Sequence, residues 1–372
     1  MTQTRLQRLH EAGQSIWLDF IERGMLHNGG LQRRIADDVL TGMTSNPTIF
    51  EKALAEGAVY DAQINDAPGD LSAPQLFELL ATTDVRDACD AFAGIYRDTK
   101  GGDGYVSIEV SPGAANDAQA TIIEARRLRA TVNRPNVMIK VPGTVEGAKA
   151  VRQLISEGIN VNITLLFAIA AHARVIEAYM AGLEDRVAAG KPIDGIASVA
   201  SFFVSRVDTE VDKRLAAKGG DVTKLQGKAA VANAKLAYAL FAERFATDRW
   251  RTLQAKGGRL QRPLWASTST KNPAYRDVLY VEELIGPDTV NTMPPATIDA
   301  FRDHGEVRRT VDADLDRARD EIAAVERAGV SIDAVTDTLL TEGLASFQKS
   351  FDSLIAGLAK KSRQLGRQLV AG

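Results

Sequence analysis

Eight short runs of β-prone, largely apolar residues recur through the first 293 positions of this 372-residue chain, each ending in a polar residue or a turn, with helix-patterned stretches between most of them. The runs are 15–20, 38–43, 105–110, 136–141, 159–164, 196–204, 263–267 and 289–293. Several are apolar at nearly every position, as in Val-Met-Ile-Lys-Val at 137–141. A strand wetted on one face alternates apolar with polar residues, whereas a continuously apolar run belongs in a parallel sheet covered on both faces. The covering helices are legible too. Residues 117–129 place Ile122, Ala125 and Leu128 on one stripe, and 147–157 do so with Val151, Leu154 and Ile155. Eight strands alternating with helices predict an α/β fold of the (β/α)8 TIM-barrel type, with an open doubly wound sheet as the second option.

A minimal barrel takes about 250 residues, so two stretches are in excess. The first, 207–258, carries helical patterns at 207–215 and 225–245, the latter alanine-rich with its charges on one side. The second, 305–372, carries a stripe of Leu315, Ala318, Ile322 and Val325 and a longer one running through Val335, Leu339, Leu344, Phe347, Phe351, Leu354 and Leu358. No repeat, linker or low-complexity segment interrupts the chain, so one domain over 1–372 is expected, with 207–258 outside the barrel. The C-terminal helices have three open placements: under the barrel floor, at a homodimer interface, or as a lid.

The composition excludes several classes. Lys and Arg total 45 against 48 Asp and Glu, a net charge of −3, which provides no bulk cationic field for a nucleic-acid partner. A single cysteine, Cys89, forbids an intrachain disulfide and a cysteine-based zinc site. His10, His27, His172 and His304 are scattered, and no His-Glu-x-x-His occurs, so no metal site is expected. Gly220 and the Gly227-Lys228 pair have six intervening residues where a phosphate loop needs four, and no Gly-x-Gly-x-x-Gly opens a helix, so no nucleotide cofactor is expected either. The N-terminus lacks the apolar core of a signal peptide, and the longest apolar run, 165–171, falls far short of the roughly 20 residues that cross a bilayer. A cytoplasmic protein without a membrane partner is the expectation.

In a barrel the chemistry gathers at the C-terminal strand ends. There the runs place Asp19, Thr44, Asn46, Glu109, Lys140, Asn162, Thr164, Ser201, Ser267 and Asn291. One polar residue at a strand end serves equally as a turn or cap, but a convergent set is a candidate site. Lys140 stands out because Val137, Met138, Ile139 and Val141 surround it with apolar side chains. Apolar surroundings disfavour an ammonium, and a neutral lysine amine is the nucleophile of Schiff-base chemistry on carbonyl substrates. The alternative is a lysine whose stem follows the strand and whose head reaches solvent. A Schiff-base route also needs groups that move protons, and Asp19 and Glu109 each stand in apolar strand surroundings where a buried acid requires a partner. Lys140 on the next strand suits Glu109, so a structural ion pair without chemistry is the competing reading.

Four segments carry a family likeness: Thr41-Gly42-Met43-Thr44-Ser45-Asn46-Pro47-Thr48, Val106-Ser107-Ile108-Glu109-Val110, Met138-Ile139-Lys140-Val141-Pro142-Gly143-Thr144 and Ile159-Asn160-Val161-Asn162-Ile163-Thr164-Leu165-Leu166-Phe167. In order and spacing they resemble transaldolase, and the resemblance extends to about residue 300. It implies a cofactor-free barrel enzyme of the non-oxidative pentose phosphate pathway. Such an enzyme moves a dihydroxyacetone unit from sedoheptulose 7-phosphate or fructose 6-phosphate to glyceraldehyde 3-phosphate or erythrose 4-phosphate, so phosphorylated sugars are the implied partners. It further implies Lys140 as the Schiff-base lysine, Asp19 as the base that triggers cleavage, and Glu109 with Thr164 acting on a water that assists imine formation. Asn46 would bond the dihydroxyacetone unit, Ser201 would lie near the substrate and Arg206 would bind phosphate, with Thr44, Asn162 and Phe203 completing the implied substrate-binding set. One departure stands out. Where the family carries Ser-x-Arg after the seventh strand, this chain reads Ser267-Thr268-Ser269-Thr270-Lys271. Ser267 matches and the arginine is missing, so Lys271, with the hydroxyls of Ser267 and Ser269, is expected to take its place; a solvated lysine in the turn before Asn272-Pro273 is the alternative. The C-terminal helices match no motif. The rival functions are an aldolase releasing free dihydroxyacetone and a non-catalytic sugar-phosphate binding protein.

Overall fold

The computed structural model describes residues 3–55 and 57–370. Eight parallel strands close into a barrel in sequence order: β1 (Gln14–Asp19), β2 (Leu40–Thr44), β3 (Tyr105–Glu109), β4 (Val137–Pro142), β5 (Val161–Leu166), β6 (Ser198–Phe203), β7 (Gln261–Ala266) and β8 (Thr289–Met293), with β8 pairing back onto β1. The (β/α)8 architecture expected from the apolar runs is what the chain forms. The second strand starts two residues later than its run. Asp38 closes the preceding helix, where Arg34 and Arg302 hold its carboxylate, and Val39 takes a left-handed conformation before the strand begins.

Inside the barrel the floor is built from Trp17 and a buried polar cluster. A Cβ on Gly42 would lie 2.5 Å from the Trp17 indole, so only glycine on β2 leaves room for that ring. The indole N–H donates to Asp103 at 2.8 Å, Ser15 donates to the same carboxylate, and Arg262 reaches both, donating to Ser15 at 2.7 Å and pairing with Asp103 at 3.6 Å. Each charge on this floor thus has a partner, which buried charges require.

The helix after β6 begins at Ser205, immediately beyond the strand, and runs to Lys218. The alanine-rich helix Ala229–Arg244 keeps Glu243 and Arg244 exposed at its C-terminal end but is otherwise largely covered. It packs between the helices Ile169–Ala188 and Leu315–Arg327, so even Asn233 and Lys235 are buried, Lys235 pairing with Glu283 at 3.1 Å. Small side chains allow close helix packing on several sides, and this explains the alanine richness better than propensity does.

The long helix Ile332–Gln364 runs over the C-terminal face of the barrel. Its apolar stripe, including Leu339, Phe347, Leu354 and Leu358, joins the same apolar cluster as the barrel wall. It packs on the helices Pro47–Ala55 and Ser205–Lys218 and on the turn Pro112–Ala114, all of which follow strand ends. Polar contacts fix it there: Thr48 donates to Ser350 at 2.9 Å, Ser353 to Glu51 at 2.5 Å and Arg214 to Thr338 at 3.0 Å. Gly343 sits so close that an added Cβ would lie 3.0 Å from Leu165 and 3.7 Å from the Arg206 guanidinium. The helix is therefore a roof at the end of the barrel where its polar residues converge.

Candidate active site

Strand register sets the site. Asp19 pairs with Thr44 across β1 and β2, Glu109 with Lys140 across β3 and β4, and Lys140 with Asn162 across β4 and β5, so these side chains stand at the C-terminal ends of neighbouring strands. Lys140 is buried, 5% exposed, with its ammonium donating to the Ser45 carbonyl at 3.2 Å and lying 3.8 Å from Glu109 Oε2. A solvent-reaching lysine is excluded by that burial. Both Glu109 oxygens and Thr164 Oγ1 are buried without a hydrogen-bond partner among the described residues. Burial raises the Glu109 carboxyl to about 7; the Lys140 cation opposes the rise and the Asp19 charge adds to it.

Asp19 accepts a hydrogen bond from Thr44 at 2.8 Å, and Thr44 in turn meets Thr292 at 2.6 Å. Burial raises the Asp19 carboxyl above its ordinary range, offset by Lys140, the Thr44 bond, Lys271 and Arg206. Asn162 donates to Ser107 at 3.0 Å and accepts from Ser201 at 2.6 Å, which fixes its amide beside Lys140. Asn46 caps the following helix, accepting from the Ile49 amide at 3.0 Å.

On β5 the register shifts between Ile163 and Leu166, and Leu165 adopts a positive φ of 58°. A bulge of this kind re-aims side chains, and here it sends Leu165 against the roof at Gly343 directly after Thr164. Across the mouth the Arg206 guanidinium lies 5.3 Å from the centre of the Phe203 ring and forms no ion pair with a described residue. Burial lowers its proton affinity, and Asp19 partly restores it. Ser267, at a φ of 57°, shares a hydroxyl contact of 2.9 Å with Ser205. Lys271 is solvent-exposed and donates to Ser269 at 2.8 Å, and its ammonium is disfavoured by partial desolvation and by the Arg206 charge. Lys271, Arg206 and Asp19 therefore share one electrostatic environment.

The strand-end residue Asn291 does not join them. It bonds Thr268 at 2.8 Å and Gln14 at 3.3 Å, while its neighbour Thr292 points to Thr44. Strand alternation decides this, because successive side chains lie on opposite faces. The residues the sequence reading passed over are Ser45, Ser107 and Thr292. Ser107 and Thr292 face inward by the strand register, whereas Ser45, just past the end of β2, contributes its backbone carbonyl to Lys140. No group of three or more His, Cys, Asp or Glu able to hold a metal occurs among the described residues.

A closed (β/α)8 barrel with one buried lysine, two acids and two cations at its C-terminal mouth falls in the class of barrel enzymes that work at the strand ends. Within that class, the family model for "Transaldolase/Fructose-6-phosphate aldolase" matches residues 16–358. A transaldolase of Trichodesmium erythraeum is 46% identical over 98% of this chain and 99% of its own. Transaldolase 1 of Streptomyces coelicolor is 48% identical over 95% and 94%, and a transaldolase of Thermobifida fusca is 48% identical over 96% and 98%. The chain belongs to the transaldolase/fructose-6-phosphate aldolase family and is an enzyme of the transaldolase type, a transferase acting on phosphorylated sugars.

Proposed function

We propose that the enzyme moves a dihydroxyacetone unit from sedoheptulose 7-phosphate or fructose 6-phosphate to glyceraldehyde 3-phosphate or erythrose 4-phosphate through a Schiff base on Lys140. The observation that carries the reading is the buried Lys140 ammonium 3.8 Å from Glu109, whose carboxyl has no hydrogen-bond partner among the described residues. The amine adds to the ketose carbonyl carbon, and loss of one water from the carbinolamine gives the imine. Glu109, held near neutrality, exchanges a proton readily at working pH, and with Thr164 it holds the water that relays this proton. Asp19 then takes the proton of the hydroxyl next to the breaking carbon–carbon bond. The bonding electrons pass into the imine to give the enamine, and an aldose leaves. The enamine attacks the acceptor aldehyde, Asp19 returns the proton, and water frees the new ketose.

Thr44 keeps Asp19 oriented, Asn162 and Ser201 stand beside the imine, and Asn46 bonds the retained three-carbon unit. Arg206, stacked on Phe203, with Ser267 and Lys271 receives the phosphate. We read the protein as one cytoplasmic domain, a homodimer remaining compatible with it; among the described residues no helix is long and apolar enough to cross a membrane. The test is the fate of the dihydroxyacetone unit. With fructose 6-phosphate and an aldose phosphate, the new ketose phosphate should form in step with acceptor consumption. Rapid release of free dihydroxyacetone, unaffected by acceptor, would instead mark an aldolase.

A further inference from the structure

The turn that carries Lys271 is fastened to the helix that carries Arg206. Residues 272–275 form a tight turn in which the Tyr275 amide donates to the Asn272 carbonyl at 3.0 Å and the Ala274 amide to the Asn272 side chain at 3.0 Å, with Pro273 between them. Lys271 is thus one rigid turn from Tyr275. The Tyr275 hydroxyl donates to Asp212 Oδ2 at 2.5 Å, and Asp212 lies six residues, less than two turns, along the helix Ser205–Lys218 from Arg206. The other Asp212 oxygen accepts from the Gly227 amide at 2.9 Å. Gly227 holds a φ of 72°, and a Cβ there would lie 2.7 Å from the Tyr275 ring, so the insertion after β6 supplies a glycine seat for that ring. Neither Tyr275 nor Asp212 has a place in the chemistry described above.

We infer that Tyr275, through Asp212, is a positioning residue for the sugar phosphate: it holds the Lys271 ammonium and the Arg206 guanidinium together as one dianion-binding pair. This rests on the phosphate reading of Arg206 and Lys271. Arg206 disfavours the Lys271 ammonium and Asp19 offsets this only in part, so an unanchored turn would let Lys271 move away from the guanidinium. A lysine binds phosphate only as a point charge on a flexible stem, and its contribution depends on where the backbone holds it.

The experiment measures KM and kcat for fructose 6-phosphate and for unphosphorylated fructose, with thermal midpoints, in Tyr275→Phe, Asp212→Asn, their double variant and Lys271→Ala. Tyr275→Phe keeps the ring in its seat and loses only the hydroxyl. The expected result for Tyr275→Phe is a rise of about three- to tenfold in KM for fructose 6-phosphate, with kcat and the constants for fructose within about twofold of the parent, and a double variant no worse than Tyr275→Phe alone. Asp212→Asn should give a smaller rise, because its oxygen stays with Gly227 and its amide can donate to the Tyr275 oxygen. If Lys271→Ala changes KM for the phosphorylated sugar selectively while Tyr275→Phe does not, the positioning role is refuted and the phosphate reading stands. If Lys271→Ala itself shows no selectivity, the phosphate reading falls and the inference with it. An equal loss on both sugars in Tyr275→Phe would make the bond merely structural and refute the inference.

Discussion

Replacing Glu109 by Gln removes a titrating group whose surroundings differ sharply between the folded and unfolded chain. Burial holds its carboxyl at about 7, against an ordinary 4.5, even with the Lys140 ammonium 3.8 Å away. The folded protein therefore binds this proton more tightly than the unfolded chain does. The stability that Glu109 contributes is fully present below about pH 4.5 and is lost as the pH rises through about 7. The gap between those values, at about 1.4 kcal/mol per pH unit, sets an upper bound of about 3 kcal/mol. Urea unfolding at pH 5 and pH 8, followed by the fluorescence of the buried Trp17, Trp250 and Trp265, reads the effect in the parent and in Glu109→Gln. The parent should lose about 2–3 kcal/mol more than the variant between the two pH values. Any constant cost of leaving Lys140 without its anion cancels, because only the change with pH is read. A parent-minus-variant difference that stays flat would show an ordinary carboxylate. One that grows with pH would show an ion pair that lowers the Glu109 carboxyl, and either result would refute the argument from burial.

The remaining predictions concern the separate roles at the barrel mouth and the floor beneath it. Asp19→Ala should still form the Schiff base, which accumulates while turnover falls about 10²- to 10⁴-fold, whereas Glu109→Ala should slow imine formation itself; rapid-quench trapping distinguishes them, and the opposite pattern would reverse the assignments. Lys271→Ala should weaken binding of fructose 6-phosphate by about 1.5–3 kcal/mol, roughly tenfold or more in KM, and so lower the preference over unphosphorylated fructose in steady-state assays. Asp103→Ala leaves Arg262, Ser15 and the Trp17 indole without their common partner and should destabilise the fold by about 3 kcal/mol in denaturant titration; a change below about 1 kcal/mol would mean the floor cluster is dispensable.

The barrel was legible because its strands are buried on both faces, and an apolar run carries that signal locally. The site was legible for a related reason: Lys140 and Glu109 interrupt such runs, and a charge in an apolar strand has few places to go. Other features depended on partners far away in sequence. The stripe through Leu339, Phe347 and Leu354 announces a helix with one apolar face, yet only the contacts with Leu165, Thr48 and Glu51 make that helix a roof. The alanine-rich helix showed charges along one side, and its burial follows from the late helix Leu315–Arg327, more than seventy residues downstream. Asn291 and Thr292 are adjacent polar residues at a strand end, and which of them faces the site is set by the pairing of β8 with β1. The anchoring of Tyr275 to Asp212 had no local signature at all, since a tyrosine in a turn and an aspartate on a helix are ordinary residues until the fold joins them.

The central claim is that Lys140 forms the covalent intermediate, and borohydride reduction during turnover of fructose 6-phosphate, followed by peptide mass mapping, tests it most directly. The site geometry predicts a reduced three-carbon adduct on the peptide containing Lys140, and its loss in Lys140→Met with no new adduct elsewhere. Turnover without any adduct, or an adduct confined to another lysine, would contradict the assignment.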